Sequence, residues 1–475
     1  MADDMQIEVP ATLQIAPPPA TVGDRSLPLT FFDILWLPFF PINQLFFFEF
    51  HQQTDYNNPE ELFAFEIFPK LKHSLSITLQ HFFPFASNLI VFPKQNDSNV
   101  LKKPEIRYVE GDSVTLTYAR STLSLSDLAG NHPRASKAFY GLVPRLGRAK
   151  KVSNDEVAIP LFAVQITYFA NQGFSLGLTN HHTLSDASTR FDFMKAWTSI
   201  AKNGTDELFL SSESKPFYDR AIVYPDLLDE IFMNQPGIEK LDGEHQPAHP
   251  SSDTDKVRAT VIMEKTKINE LKKWLLVKLP NLEYLSSFSI TCAYIWSCIA
   301  KSRDLAGELI KGDNDLERFI CTVDWRSRLT PPIPKTYFGN CVGLCDTAKI
   351  ESKKMSGDAG FINATELLGQ ALSRTLKNKD GMFKDAEMWL VRACDPAPVI
   401  GVAGSPKIKV YDLDFGWGKP SKYETISIDY NGSISVNACK EAPDDIEVGL
   451  CLSPKHMDAF VAIFTSELDK ILKKE

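Results

Sequence analysis

Several features are missing from this chain, and each absence excludes something. No pair of cysteines is spaced Cys-x-x-Cys. All eight, Cys292, Cys298, Cys321, Cys341, Cys345, Cys394, Cys439 and Cys451, fall in the C-terminal half without metal-ligand spacing. They are expected to be buried free thiols in a reducing compartment. Excess positive charge is also missing: 51 Lys and Arg face 60 Asp and Glu, a net charge of -9. That balance removes the main drive for non-specific nucleic-acid binding and requires any anionic ligand to find a local basic patch. No apolar run is long and clean enough to span a membrane, because Leu27 to Phe50 is broken by Pro28, Asp33, Pro38 and Pro41. The first residues carry Asp3, Asp4 and Glu8 with no basic start, unlike a secretory signal, and the chain ends in no retention or peroxisomal address. A cytoplasmic location is the resulting expectation. There is no short repeat, no low-complexity tract and no Gly-x-Ser-x-Gly elbow for a serine nucleophile.

What is present is an ordinary globular composition, 44% apolar and 23% charged over 475 residues, a length that calls for two domains of roughly 200 residues each. Glu60 to Phe83 has helical spacing, with Leu62, Phe65, Ile67, Leu71, Leu75 and Leu79 on one face. Leu161 to Ala170 and Phe174 to Thr179 read as a hairpin turning at Asn171-Gln172-Gly173, and Asp186 to Lys202 reads as an amphipathic helix stopped by Asn203-Gly204. Further strands are expected at Val257 to Met263, Phe319 to Val323, Lys407 to Tyr411, Glu424 to Ile428 and Ile446 to Cys451. Helices are expected at Lys267 to Lys278, with Thr266 as N-cap, at Ser286 to Ala300, and at Pro454 to Leu472.

The candidate chemistry sits between hairpin and helix, in His181-His182-Thr183-Leu184-Ser185-Asp186. A histidine is suited to accept a proton near neutral pH and return it. Asp186 can cap the helix or pair with a cation. By itself the pattern is also that of a structural histidine turn, and His181, His182 and Asp186 have ligand types a metal could use.

The reading sharpens when His182 and Asp186 are taken together with Asp414, Phe415, Gly416, Trp417 and Gly418, and with Tyr337, Phe338, Gly339, Asn340 and Cys341. This combination resembles the plant BAHD acyl-CoA-dependent acyltransferases, and within them the malonyltransferase-like clade that acylates anthocyanin, flavonoid and other phenolic glucosides. The resemblance implies an α/β fold of two chloramphenicol-acetyltransferase-like domains, mixed sheets flanked by helices, with an active-site channel at their interface. The implied division is 1–216 for the first domain, 217–255 for a crossover, and 256–414 with 439–475 for the second, while 415–438 crosses back to the first.

The resemblance implies that His182 is the general base and Asp186 its mainly structural companion, paired with Arg326 or, second, Arg328. The motif from Asp414 to Gly418 is implied to be structural. Arg190 matches an arginine that malonyl-transferring members carry, where a guanidinium can grip a free carboxylate. The phosphates of CoA need cations, and Lys256, Arg258, Lys265, Lys267, Lys272 and Lys273 cluster around one strand and helix, with Lys407 a further candidate. The donor is expected to be malonyl-CoA, a co-substrate and not a bound cofactor, and the acceptor a small glycoside, handled by a monomer with no metal, nucleic acid or membrane. A hydroxycinnamoyl-CoA enzyme of the same clade and a catalytically idle binding protein are the alternatives.

Overall fold

The computed structural model describes residues 7–50, 58–92, 102–221, 226–234, 255–308, 316–377, 386–393, 395–430 and 432–472. Most of the expected crossover, 222–225 and 235–254, lies outside them, as does Cys394. The expected hairpin forms the centre of a six-stranded mixed sheet. Phe162–Phe169 and Gly173–Asn180 pair antiparallel, and every residue of both is buried, consistent with their near-continuous apolar and β-branched sequences. Phe162–Phe169 runs parallel to Val114–Ser121, and Gly173–Asn180 antiparallel to Ile42–Glu49. Lys422–Thr425, from far along the chain, closes this sheet by pairing with Ile42–Glu49.

A second, eight-stranded sheet is built mostly from the later sequence, with Leu316–Asp324, Val257–Met263 and Ile446–Leu452 among its strands. It too takes a strand from the other half, Arg134–Ala135, which pairs with Val257–Met263. Ile434–Ala438 pairs within this sheet, so the return to the first sheet is made by Lys422–Thr425. A buried ionic cluster ties the two exchanged strands together. Glu424 takes Arg134 at 2.8 Å and Arg258 at 2.9 Å, and Arg258 also pairs with Asp429. Burial alone would raise the Glu424 pKa, but the two arginines hold it down at about 2. Arg258 is therefore committed to the interior and is not a cation for phosphate.

Helices pack on the sheets. Ser287–Ala306 begins at a Ser286 capping box and runs through the expected apolar stretch, and Pro454–Leu472 packs beside it. The helix Lys265–Lys278 starts two residues before the expected position. Its N-cap is Glu264, not Thr266, because the Asp445 carboxylate reaches in at 2.8 Å to take the Lys265 N–H. Two other expectations fail locally. Lys407 to Tyr411 is no strand: its start is a loop beside Pro406, and Val410–Asp412 is a 3-10 turn. The strand at Glu424 stops at Thr425 and becomes a 3-10 turn over Ile426–Tyr430.

The first long helix departs from a single 3.6-residue phase. Pro59–Leu62 and Phe68–His81 are α-helical, but Phe63–Ile67 between them is a π-turn. The wider turn rotates the sequence so that Phe63 is buried and Phe65 points out, 77% exposed. All seven described cysteines are free and buried. Among the described residues no helix is long and apolar enough to cross a membrane.

Candidate active site

The last strand of the hairpin, Gly173–Asn180, delivers the chain to His181, and a 3-10 turn over His182–Leu184 leads into the helix Ala187–Asn203. Asp186 caps that helix, its Oδ1 accepting from Thr189 N at 3.0 Å. Its Oδ2 accepts from Arg326 Nη1 at 2.7 Å and from Cys341 N at 3.0 Å. Both roles foreseen for this residue, cap and ion-pair partner, thus hold at once. Arg328 instead donates to Asp324 O at 2.6 Å. Burial works to raise the Asp186 pKa, and Arg326 with the two backbone N–H groups brings it below the ordinary value. With both oxygens occupied by donors, Asp186 is poorly placed to bind a metal, and the described residues contain no cluster of three or more metal-ligating side chains.

His182 itself is partly exposed, while its Nδ1 is buried and hydrogen-bonded by no other described residue. Packing around the ring and the nearby Arg190 cation push its pKa down to about 3, so the resting ring is neutral, the form that can take a proton. His181 is oriented differently: its Nδ1 lies 2.8 Å from Thr183 Oγ1 and accepts from Thr183 N at 3.3 Å, a structural arrangement.

Arg190, on the first turn of the helix, is 8% exposed. Its Nη1 donates to Ser185 O at 2.8 Å, its Nε has no partner among the described residues, and none of the described carboxylates forms an ion pair with it. Burial lowers its pKa, opposed by Tyr423 and Asp186. A buried cation without a carboxylate, next to a neutral histidine, is a ready anion site.

The Tyr337-to-Asn340 segment lies against this loop. Asn340 Nδ2 donates to the carbonyls of His182 at 3.0 Å and Thr183 at 3.3 Å. Arg326 Nη2 donates to the Gly339 carbonyl at 3.0 Å, and Arg220 Nη1 to the Tyr337 hydroxyl at 2.7 Å. Gly339 has φ of 124°, so a side chain there is strained by the backbone, and its Cβ, 2.6 Å from Arg220 Nη1, would also have to displace that guanidinium. Phe338 is fully buried among Phe82, Phe85 and Tyr218.

The second motif sits elsewhere. Asp414 pairs with Lys202 at 2.6 Å, near the opposite end of the helix and about 24 Å from Asp186 at 1.5 Å per residue. Its Oδ1 accepts from Gly416 N at 2.8 Å and Gly418 N at 3.1 Å, around a turn whose glycines have φ of 105° and 107°. Phe415 packs edge-on to Trp197 and Phe48, and Trp417 lies under Lys70. Asp414→Ala should therefore destabilise the protein by about 1–2 kcal/mol while leaving the donor KM unchanged; thermal melting with steady-state kinetics checks both.

The lysines are more dispersed than the arginines. Lys267 pairs with Glu270 at 3.3 Å on an exposed helix face, Lys265 Nζ lies 3.5 Å from Ser287 Oγ, and Lys407 is exposed in its loop. Three residues that sequence reasoning did not single out also build the site: Trp36, stacked on His182, and the buried pair Asp33 and Arg220, joined at 3.0 Å.

The chain matches the Transferase family over residues 5–466. It is 48% identical over 460 residues, 97% of each chain, to a malonyl-coenzyme A:anthocyanin 3-O-glucoside-6''-O-malonyltransferase of Dahlia pinnata. It is 37% identical to phenolic glucoside malonyltransferase 1 of Nicotiana tabacum, covering 95% of this chain and 97% of that one. Its fold is similar to the crystal structure of vinorine synthase, with a TM-score of 0.66 at 20% identity over 97% of this chain and 98% of that one.

Proposed function

Since the chain belongs to the Transferase (BAHD) family of acyl-CoA-dependent acyltransferases, we propose that it moves a malonyl group from malonyl-CoA to a sugar hydroxyl of an anthocyanin, flavonoid or other phenolic glucoside. The neutral His182 takes the proton of the acceptor hydroxyl as its oxygen attacks the thioester carbonyl. The tetrahedral oxyanion collapses, the C–S bond breaks, and the departing CoA thiolate recovers the proton from the His182 imidazolium. Asp186 does not share in the proton transfer; it holds the loop through Arg326 and Cys341 N. Lys265, Lys267 and Lys407 are the side chains we assign to the phosphates of CoA.

The observation that carries the malonyl assignment is Arg190, buried beside His182 without a carboxylate partner among the described residues. The free carboxylate of malonyl-CoA supplies that partner. Arg190→Gln should raise the KM for malonyl-CoA by about 10–100-fold, the range expected for loss of a hydrogen-bonded charge, while sparing the neutral donor acetyl-CoA. Equal losses with both donors would contradict the assignment. We further propose that the protein acts as a cytoplasmic monomer. One chain assembles the whole site, and seven buried free thiols suit a reducing compartment. Size-exclusion chromatography with light scattering checks the monomer.

A further inference from the structure

The His182 ring has a partner that none of the motifs includes. The Trp36 indole lies face to face with it, ring centroids 3.9 Å apart and planes within 7°, and Phe39 packs edge-on against Trp36 at 5.0 Å. Trp36 is buried, 6% exposed. Among the described residues no other side chain hydrogen-bonds the imidazole: its own backbone is the hydrogen-bonding group that acts on it, and both Asp186 oxygens are taken by other donors. A contact within the residue alone leaves the broad terminal torsion of the ring loosely held, so the stack is what braces its plane from outside.

The two rings are also held in register from behind. Trp36 follows the short helix Phe31–Ile34, its N–H bonding to Asp33 O at 3.1 Å. The Asp33 side chain is fully buried and takes Asn340 N at 2.9 Å, Asn340 Nδ2 at 3.0 Å and Arg220 Nη1 at 3.0 Å. The same Asn340 Nδ2 reaches the His182 carbonyl at 3.0 Å. One amide therefore joins the turn that carries Trp36 to the backbone of the histidine.

We propose that Trp36 is a positioning residue for the base, and that Asn340 is the clamp that keeps the two rings aligned. The proposal rests on His182 being that base. Alignment matters because a displacement of 1 Å at a reacting group can cost about 100-fold in rate. The stack has a second consequence when the proton arrives. The charged or titratable side chains acting on the ring are Arg190, His181 and Asp186, with Asp186 already committed to Arg326, and the indole face offers the new imidazolium an electron-rich surface.

The test compares Trp36→Leu, Trp36→Phe, Asn340→Ala and His182→Ala, with melting curves taken on each. Trp36→Leu should lower kcat roughly 30–100-fold with the donor KM within about threefold, and Trp36→Phe, which keeps a flat ring, should restore most of the loss. Asn340→Ala should show the same split between kcat and KM. A stably folded Trp36→Leu with wild-type kcat, or Leu and Phe variants equally slow, would overturn the proposal. If Trp36→Leu does not fold, a wild-type kcat in Asn340→Ala overturns it instead. An active His182→Ala removes the base assignment itself, whereas an inactive His182→Ala beside an undisturbed Trp36→Leu removes the positioning role alone.

Discussion

His182→Ala lowers kcat for acyl transfer by about 100- to 10,000-fold, the range a positioned general base supplies, with the melting temperature nearly unchanged. The expectation follows from how little else the side chain does. No other described residue hydrogen-bonds its Nδ1 and the ring is partly exposed, so truncation removes a stacking contact with Trp36 but no hydrogen bond of that nitrogen to another described residue. The same arrangement sets the pH behaviour. Burial first and Arg190 second depress the His182 pKa from the ordinary 6.5 to about 3, and the neutral form is the one that accepts the proton. Because that form persists as pH falls until the depressed pKa is approached, kcat/KM, which reports the free enzyme, should carry no acid limb from His182 above about pH 5. A limb centred near pH 6.5 would mean that the ring is not shielded as described.

Arg326→Met should be the most destabilising single change at the site. It strips the partner from a carboxylate that is 3% exposed, and it also removes the donors to Gly339 O and Thr189 Oγ1. Breaking one side of a buried pair costs about 3–5 kcal/mol because the remaining charge is left uncompensated. That corresponds to a fall in melting temperature of roughly 6–20 °C for domains of 150–250 residues. Activity falls as well, since Arg326 and Asn340 together hold the segment that supports the His182 loop. The cause can be isolated with a second change. If the uncompensated charge is responsible, Asp186→Leu added to Arg326→Met should recover part of the lost stability although it deletes a further side chain. A double variant less stable than Arg326→Met alone would place the loss in the Gly339 and Thr189 contacts instead.

Much of this site was legible in the sequence because its parts are local. The hairpin at Asn171-Gln172-Gly173, the Asp186 cap and the Gly204 stop, with φ of 76°, are short-range signals, and they fix where His182 emerges. Arg190 stood out through the resemblance, as the match to an arginine that malonyl-transferring members carry, and its place on the first turn of a helix, which favours an acid over a base, agrees with a ligand role. The contacts that were not legible join distant segments. Trp36 lies in a run of prolines and aromatics where every ring looks like core, and the stack joins it to a residue 146 positions away. Arg258 belongs by sequence to a basic cluster, and only the return of Glu424 on a distant strand turns it inward. The π-turn at Phe63–Ile67 escaped for another reason: periodicity assumes a constant turn angle, and one wider turn moved Phe65 to the surface. Asn340 was visible as part of a motif, but its action, one nitrogen shared between Asp33 and His182, exists only in three dimensions.

Donor choice by the wild-type protein tests the central claim most directly. The protein is incubated with a flavonoid glucoside and either malonyl-CoA or coumaroyl-CoA, and the acylated product is identified by mass. Arg190, buried without a carboxylate partner among the described residues, predicts a malonyl ester on the sugar and a much slower reaction with the neutral aromatic donor. A coumaroyl ester formed where malonyl-CoA gives no product would contradict the account.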